Sequence, residues 1–198
     1  MTAFQVPDIA AAILAGGEGR RVGGSDKGLL PLAGKPLIER VADSLRPQVC
    51  SILVCANRNT DEYARFGRVL ADTGQGCHGP LAGIANSLAH SPAPWLLTVP
   101  VDAPNLAFDL AARLHATAIV TGADAVVAHD GVRRQPLFAL YRSHLAQEAA
   151  QALQADLPVW QWQDAVDAIE ADFSDRAQSF ANLNTLGEFR EWESRHAR

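Results

Sequence analysis

The chain has 198 residues, 48% of them hydrophobic, which is core material for one domain of ordinary or slightly large size. That balance excludes both a disordered segment and a small disulfide-stapled scaffold. A formal net charge of −5 argues against a nucleic-acid backbone binder, which normally carries a basic excess, yet leaves room for a phosphate ligand on a local cationic cluster.

Met1–Asp8 lacks the basic region that opens a secretory signal. The longest apolar stretches, Ile9–Ala15 and Trp95–Val101, fall far short of the roughly 20 residues of a membrane span. The expectation is a cytoplasmic protein with no membrane contact and no nucleic-acid partner.

Asp8–Ala15 reads as a buried strand that stops abruptly at glycines. Pro36–Arg46 reads as a helix, with Leu37, Ile38, Val41, Ala42 and Leu45 on one face and Pro47 ending it. Val49–Ala56 and Arg68–Asp72 read as further strands, then Pro80–Ser91 as a helix striped by Leu81, Ile84 and Leu88. Trp95–Val101 is the most hydrophobic strand and runs straight into Asp102. A helix over Asn105–Ala116, strands at Ala123–Ala128 and Leu137–Tyr141, and a helix over Ser143–Gln154 follow. Trp160 and Trp162, two apart, suggest one face of a strand or extended segment. Thr185 and Glu188 form a T-x-x-E capping box before a last helix carrying Phe189 and Trp192. No repeat or long linker divides the chain, so residues 1–198 are expected to form a single domain.

Alternating apolar strands and helices predict an α/β fold, a three-layer sandwich around a mostly parallel sheet. Ligands of such sheets bind beyond the carboxyl ends of the strands. The places to search are therefore just after Ala15, Ala56, Asp72 and Val101.

Cys50, Cys55 and Cys77 form no CxxC pair, and the histidines show neither HxH nor HExxH spacing. Buried structural thiols are expected rather than metal ligands, with Cys50 and Cys55 on opposite faces of their strand. His129-Asp130-Gly131 reads as a hairpin turn before Arg133 and Arg134.

The segment from Leu14 to Gly28 carries six glycines together with Arg20, Arg21 and Lys27, directly after the first strand. Glycines let successive backbone N–H groups approach phosphate oxygens, and the cations add charge where a triphosphate would lie. The pattern is not a P-loop, because Gly34-Lys35 is followed by Pro36. Nor is it a dinucleotide fingerprint, because Gly17-x-Gly19 is followed by Val22, and Glu39 falls within the predicted helix instead of ending a strand. A plain solvated surface loop would need no such interleaving of cations with glycines. Asp102 at the end of a buried strand suits Mg²⁺ held against phosphate oxygens, although a turn Asp before Pro104 would look the same by position. Asp72, before a glycine-rich loop that feeds a helix, has the same two readings.

The segment LAGGEGRRVGGSDKGLLPLAGKPL, residues 14–37, resembles the opening signature of the molybdenum cofactor guanylyltransferase family. Further matches follow in order: CANR at 55–58, Asp72, GPLAG at 79–83, PVD at 100–102 and NLNT at 182–185. The resemblance implies a Rossmann-like fold and transfer of GMP from GTP to molybdenum-molybdopterin, with release of diphosphate. It further implies that Leu14, Ala15, Gly16 and Gly17 contact the nucleotide, that Lys27 holds its phosphates, and that Arg21 stabilises the triphosphate. Asp72 would belong to the nucleotide pocket and Asp102 would hold Mg²⁺. Gly79, Pro80 and Gly83 would border the base and the pterin, and Asn182 and Asn184 would form a pterin-binding pair. Cys55 stands where the family often has an asparagine, so a nucleotide contact there is either weakened or passed to Asn57. Transient contacts with molybdopterin-synthesis proteins and molybdoenzyme apoproteins are part of the same implication.

Two competitors remain at this level. Cytidylyltransferases, acting on molybdopterin or on a small phosphorylated alcohol, tend to carry LAAG where this chain has Gly16 and Gly17. A non-catalytic nucleotide-binding module would not need Arg21, Lys27 and Asp102 together.

Overall fold

The computed structural model describes residues 8–16, 26–71 and 79–196. Its centre is a seven-stranded sheet in the order β5-β4-β1-β6-β8-β7-β9. The strands are β1 (Ile9–Leu14), β4 (Ser51–Cys55), β5 (Arg68–Leu70), β6 (Trp95–Pro100), β7 (Ala125–His129), β8 (Arg134–Arg142) and β9 (Ile169–Asp172). A separate hairpin pairs β2 (Pro31–Leu32) with β3 (Lys35–Pro36). The expected three-layer, Rossmann-like arrangement is what the chain forms.

β1 is buried along its whole length because both of its faces are covered. Its odd residues Ile9, Ala11 and Ile13 pack with Ile38, Val41 and Leu45 of helix α1 (Leu37–Leu45) and with Leu110 and Leu114 of α4 (Leu110–Thr121). Its even residues Ala10, Ala12 and Leu14 face Leu81, Ile84 and Leu88 of α3 (Pro80–Ala89), and the same layer continues into α5 (Ala146–Gln154). The period-2 alternation of side chains thus divides one apolar run between two helical layers. β1 pairs in parallel with β4 and β6, so Leu14, Cys55 and Pro100 lie side by side at one edge. β5 continues this parallel half beyond β4, whereas β8 runs antiparallel to β6 and to β7.

A smaller cluster of Leu32, Leu37, Leu183, Phe189 and Trp192 seats the last helix, α7 (Leu186–His196), on the β2–β3 hairpin. The Arg40 guanidinium lies 4.9 Å from the centre of the Trp192 ring, and Glu193 accepts a 2.7 Å bond from the Ala33 N–H. The capping box at its start is real: Glu188 accepts from the Thr185 N–H at 2.9 Å, and the Thr185 hydroxyl accepts from the Glu188 N–H at 3.3 Å.

Several expectations need correction. The helix expected over Asn105–Ala116 begins only at Leu110 and runs to Thr121, where Gly122 closes it at φ 72°. Residues 101–109 are instead held in turns, and the Asn105 side chain accepts a 3.0 Å bond from the Trp192 indole. The helix runs on through the β-branched residues after Ala116, with the Thr117 and Thr121 hydroxyls donating to the carbonyls four residues earlier. Ser143–Leu145 is a tight 3₁₀ turn before α5. Trp160 and Trp162 lie on helix α6 (Val159–Ala165), where two positions are roughly 200° apart. Trp162 is accordingly buried while Trp160 is 54% exposed. β8 is longer than expected and tolerates Pro136 because the ladder with β7 slips at Val127/Ala128. Cys50 is exposed, since the strand starts one residue after it; Cys55 is buried, and Cys77 lies outside the described residues.

Candidate nucleotide site

The crevice where strand order reverses lies between β1 and β6, because β4 and β5 extend the sheet to one side of β1 and β6 to the other. Both edges of this switch point are firmly fixed. The Ala15 N–H donates to the Cys55 carbonyl at 3.0 Å, and the Val101 N–H to the Leu14 carbonyl at 3.2 Å. Gly16, the next residue, is exposed on the rim.

Lys27 opens a short 3₁₀ turn, Lys27–Leu29, capped by Asp26. Its Nζ lies 2.6 Å from Asp102 Oδ2 and donates to Asn184 Oδ1 at 2.9 Å. Asp102 sits two residues past the end of β6, and its main-chain carbonyl accepts the Leu183 N–H at 2.9 Å. Its second oxygen, Oδ1, is buried and has no hydrogen-bond partner among the described residues. A desolvated carboxylate oxygen left without a donor is costly unless a ligand meets it.

Asn184 is placed by the capping box. The Glu188 carboxylate accepts the main-chain N–H groups of Asn184 and Thr185, and these bonds hold its carboxyl below the usual carboxylate range. Asn182 is exposed, and its described surroundings tie it to neither Lys27 nor Asp102. Thus only Asn184 of the expected asparagine pair joins the charged centre. A partnership across 157 positions has no signature in local sequence.

Gly79 takes φ 118° immediately before α3 and, like Pro80, is exposed. Gly83 faces inward: a Cβ there would stand 3.1 Å from Leu14 Cδ2 and 3.4 Å from Cys55 Cβ. Its small size lets α3 lie close against β1 and β4. The Cys55 thiol is turned into the same layer, 2.9 Å from the Ser87 hydroxyl and 3.5 Å from the Gly83 carbonyl, so the thiol is not on the open rim. Asn57, two residues on, is exposed at the strand end. Gly17, Arg21 and Asp72 lie outside the described residues.

Sequence reasoning gives no role to Asp26, Asn59 or Tyr63, yet they meet beside Lys27. Only the position of Asp26 within the DKG stretch could have signalled it. Among the described residues no group of three or more His, Cys, Asp or Glu gathers as a metal cage. Mg²⁺ does not need one, since it commonly rests on one or two carboxylates, water and substrate phosphates. Asp102, with its unpartnered buried oxygen, fits that role. No helix among the described residues is long and apolar enough to cross a membrane.

The sequence model of the MobA-like NTP transferase domain matches residues 11–169. The molybdenum cofactor guanylyltransferase of Shewanella putrefaciens is 42% identical over 182 residues, covering 91% of this chain and 93% of the relative. That of Vibrio cholerae is 38% identical over 194 residues, covering 98% and 95%. The crystal structure of molybdopterin-guanine dinucleotide biosynthesis protein A from Archaeoglobus fulgidus superposes with a TM-score of 0.79 at 23% identity, covering 95% of this chain and 98% of that one.

Proposed function

The chain belongs to the molybdenum cofactor guanylyltransferases, within the MobA-like NTP transferases, and from that premise we propose how its site works. The enzyme is a nucleotidyltransferase that transfers GMP from GTP to molybdenum-molybdopterin, forming the guanine dinucleotide cofactor and releasing diphosphate. The observation that carries the site assignment is the Lys27–Asp102 ion pair at the β1/β6 switch point, with one carboxylate oxygen still unpartnered among the described residues.

In this reading GTP lies across the crevice. Leu14, Ala15, Gly16 and Gly17 border the nucleotide, with Asp72 and the segment up to the start of α3 completing the base pocket, while Gly83 is buried within α3 and only lets that helix lie close. Lys27 leaves Asp102 for the outer phosphates, where a point charge serves better than a rigid fork. Arg21 adds a second cation on the triphosphate. Asp102 is the residue that would hold Mg²⁺, which when bound neutralises phosphate charge and orients the leaving group. A terminal phosphate oxygen of molybdopterin forms the new bond to the α-phosphorus as the bond to diphosphate breaks. That oxygen is already anionic, so the protein's task is positioning and charge stabilisation. Gly79, Pro80 and Asn182 border the acceptor side, while Asn184 guides Lys27. The nucleotide contact at position 55 runs through the main chain or passes to Asn57, because the thiol is engaged with Ser87. One domain, working in the cytoplasm with transient contacts to molybdopterin-synthesis proteins and apoenzymes, suffices for this role.

Guanine selection follows from an unpaired-group penalty. A pocket committed to guanine's carbonyl and exocyclic amine leaves buried groups without partners when another base enters, which can discriminate by roughly 10⁴. The test is diphosphate release from GTP, ATP and CTP, each with and without molybdenum-molybdopterin. Release confined to GTP plus the pterin is expected. Equal turnover of CTP would replace this reading with a cytidylyltransferase.

A further inference from the structure

Beside the crevice, α2 (Thr60–Tyr63) brings a tyrosine that no part of the chemistry requires. Tyr63 is completely buried and belongs to the core layer under β1 and α1. Its hydroxyl donates a hydrogen bond to Asp26 Oδ1, the oxygen that also accepts the Gly28 N–H at 3.2 Å. The other oxygen, Oδ2, accepts from Asn59 Nδ2 at 2.9 Å. Asn59 is exposed and left-handed, at φ 51° and ψ 38°, the conformation that turns its amide toward Asp26.

The residue between Asp26 and Gly28 is Lys27. Gly28 is wedged so tightly that a Cβ would stand 2.3 Å from the Tyr63 hydroxyl and 3.0 Å from Val101 Cγ2. The lysine turn is therefore held between Tyr63 on one side and the residue preceding Asp102 on the other. Burial and the neighbouring carboxylate push the Tyr63 hydroxyl well above its ordinary pKa, which keeps it a donor.

Resting on the reading of Lys27 as the triphosphate lysine, we propose that Tyr63 and Asn59 are positioning residues that aim Lys27 through the Asp26 carboxylate. They thereby set GTP affinity from outside the pocket. Three donors on one carboxylate fix the peptide from which the lysine side chain departs. Losing the tyrosine hydroxyl frees that peptide to rotate, and the ammonium group spends less time where the outer phosphates lie. A merely structural cap would cost stability without acting through Lys27.

The test is calorimetric titration of GTP and GMP into the wild type, Tyr63→Phe, Lys27→Ala and the double variant, with thermal melts alongside. Tyr63→Phe is expected to weaken GTP about tenfold and GMP less than about twofold, on the scale of one charge-assisted hydrogen bond. In the Lys27→Ala background the same change is expected to weaken GTP no further. Asn59→Gly keeps the left-handed backbone and removes the second donor from an exposed position. It is expected to weaken GTP about threefold, as one more exposed bond to the same carboxylate, and it carries the test alone should Tyr63→Phe not fold. Wild-type GTP affinity in both variants, equal losses for GTP and GMP, or an undiminished Tyr63→Phe effect without Lys27 would each overturn the proposal. Lys27→Ala with unchanged GTP affinity would instead remove the reading of Lys27 itself, and the proposal with it.

Discussion

The two halves of the sheet divide the labour of the molecule. In the parallel half, β5-β4-β1-β6, every strand delivers its carboxyl end to the same edge, and the charged groups gather there partly exposed. Lys27 and Asp102 meet with side chains 20% and 18% accessible, and one Asp102 oxygen is buried without a hydrogen-bond partner among the described residues. In the other half, β8-β7-β9, β8 alone is reversed while β7 and β9 pair in parallel, and aromatic and side-chain contacts fasten it instead. Phe180 packs edge-on against Phe138 at 4.9 Å and Phe173 at 5.5 Å, and Trp162 lies 4.9 Å from Tyr141. Gln163 bonds the Tyr141 hydroxyl at 2.6 Å and the Pro136 carbonyl at 2.8 Å, tying α6 onto β8. The β1/β6 switch point builds a place for ligand charge, and the extension that begins with the reversed strand β8 widens the layer that holds it steady.

Breaking the scaffold half is expected to have the largest effect on stability and a small one on chemistry. Phe138→Ala removes a ring that is 2% exposed at the junction of β8 with the 3₁₀ segment carrying Phe180. A loss of about 3–5 kcal/mol is expected, read from chemical denaturation, with turnover per folded molecule near normal. A large fall in turnover of the folded fraction would erase the distinction between the halves.

Asp102→Asn should do the opposite. The expected loss is roughly 10²–10³ in diphosphate release, about 2.7–4 kcal/mol of transition-state stabilisation, with an unchanged far-UV spectrum. Release within a few-fold of wild type would remove Asp102 from the chemistry.

Thr185→Ala is the mildest. It removes one side of the capping box at the start of α7, for about 1 kcal/mol of stability, measured by thermal melting. Glu188, the other side of the box, contributes in a pH-dependent way. Its carboxyl is held below the usual range, so its contribution is present above an ordinary glutamate pKa and is lost as pH falls through the lowered value. The melting difference between Glu188→Gln and wild type should therefore shrink as the solution is acidified; a constant difference would contradict the capping role.

This division also governs what could be read in the sequence. β1 and β6 are buried on both faces, so they stand out as unbroken apolar runs, and the residues after them locate the crevice. β9 is an edge strand whose only buried residue is Ala171, and Ile169-Glu170-Ala171-Asp172 carries no period that would announce it. α6 was hidden by a tryptophan pair whose spacing suits a strand, whereas Pro158 at its cap starts a helix. Within the site, Lys27 and Asp102 were legible because each closes a local pattern. The Asn184 contact joins residues 157 apart, and the Tyr63–Asp26 bond spans 37, so both exist only through packing.

The central claim is that Asp102 serves a metal while Lys27 turns to phosphates, and a crystal structure with Mn²⁺ and a non-hydrolysable GTP analogue tests it most directly. The predicted result is anomalous density for Mn²⁺ coordinated by Asp102 and by phosphate oxygens, with Lys27 Nζ displaced from the 2.6 Å ion pair onto the outer phosphates. Mn²⁺ bound away from Asp102, or Lys27 still paired with it beneath the bound nucleotide, would contradict the account.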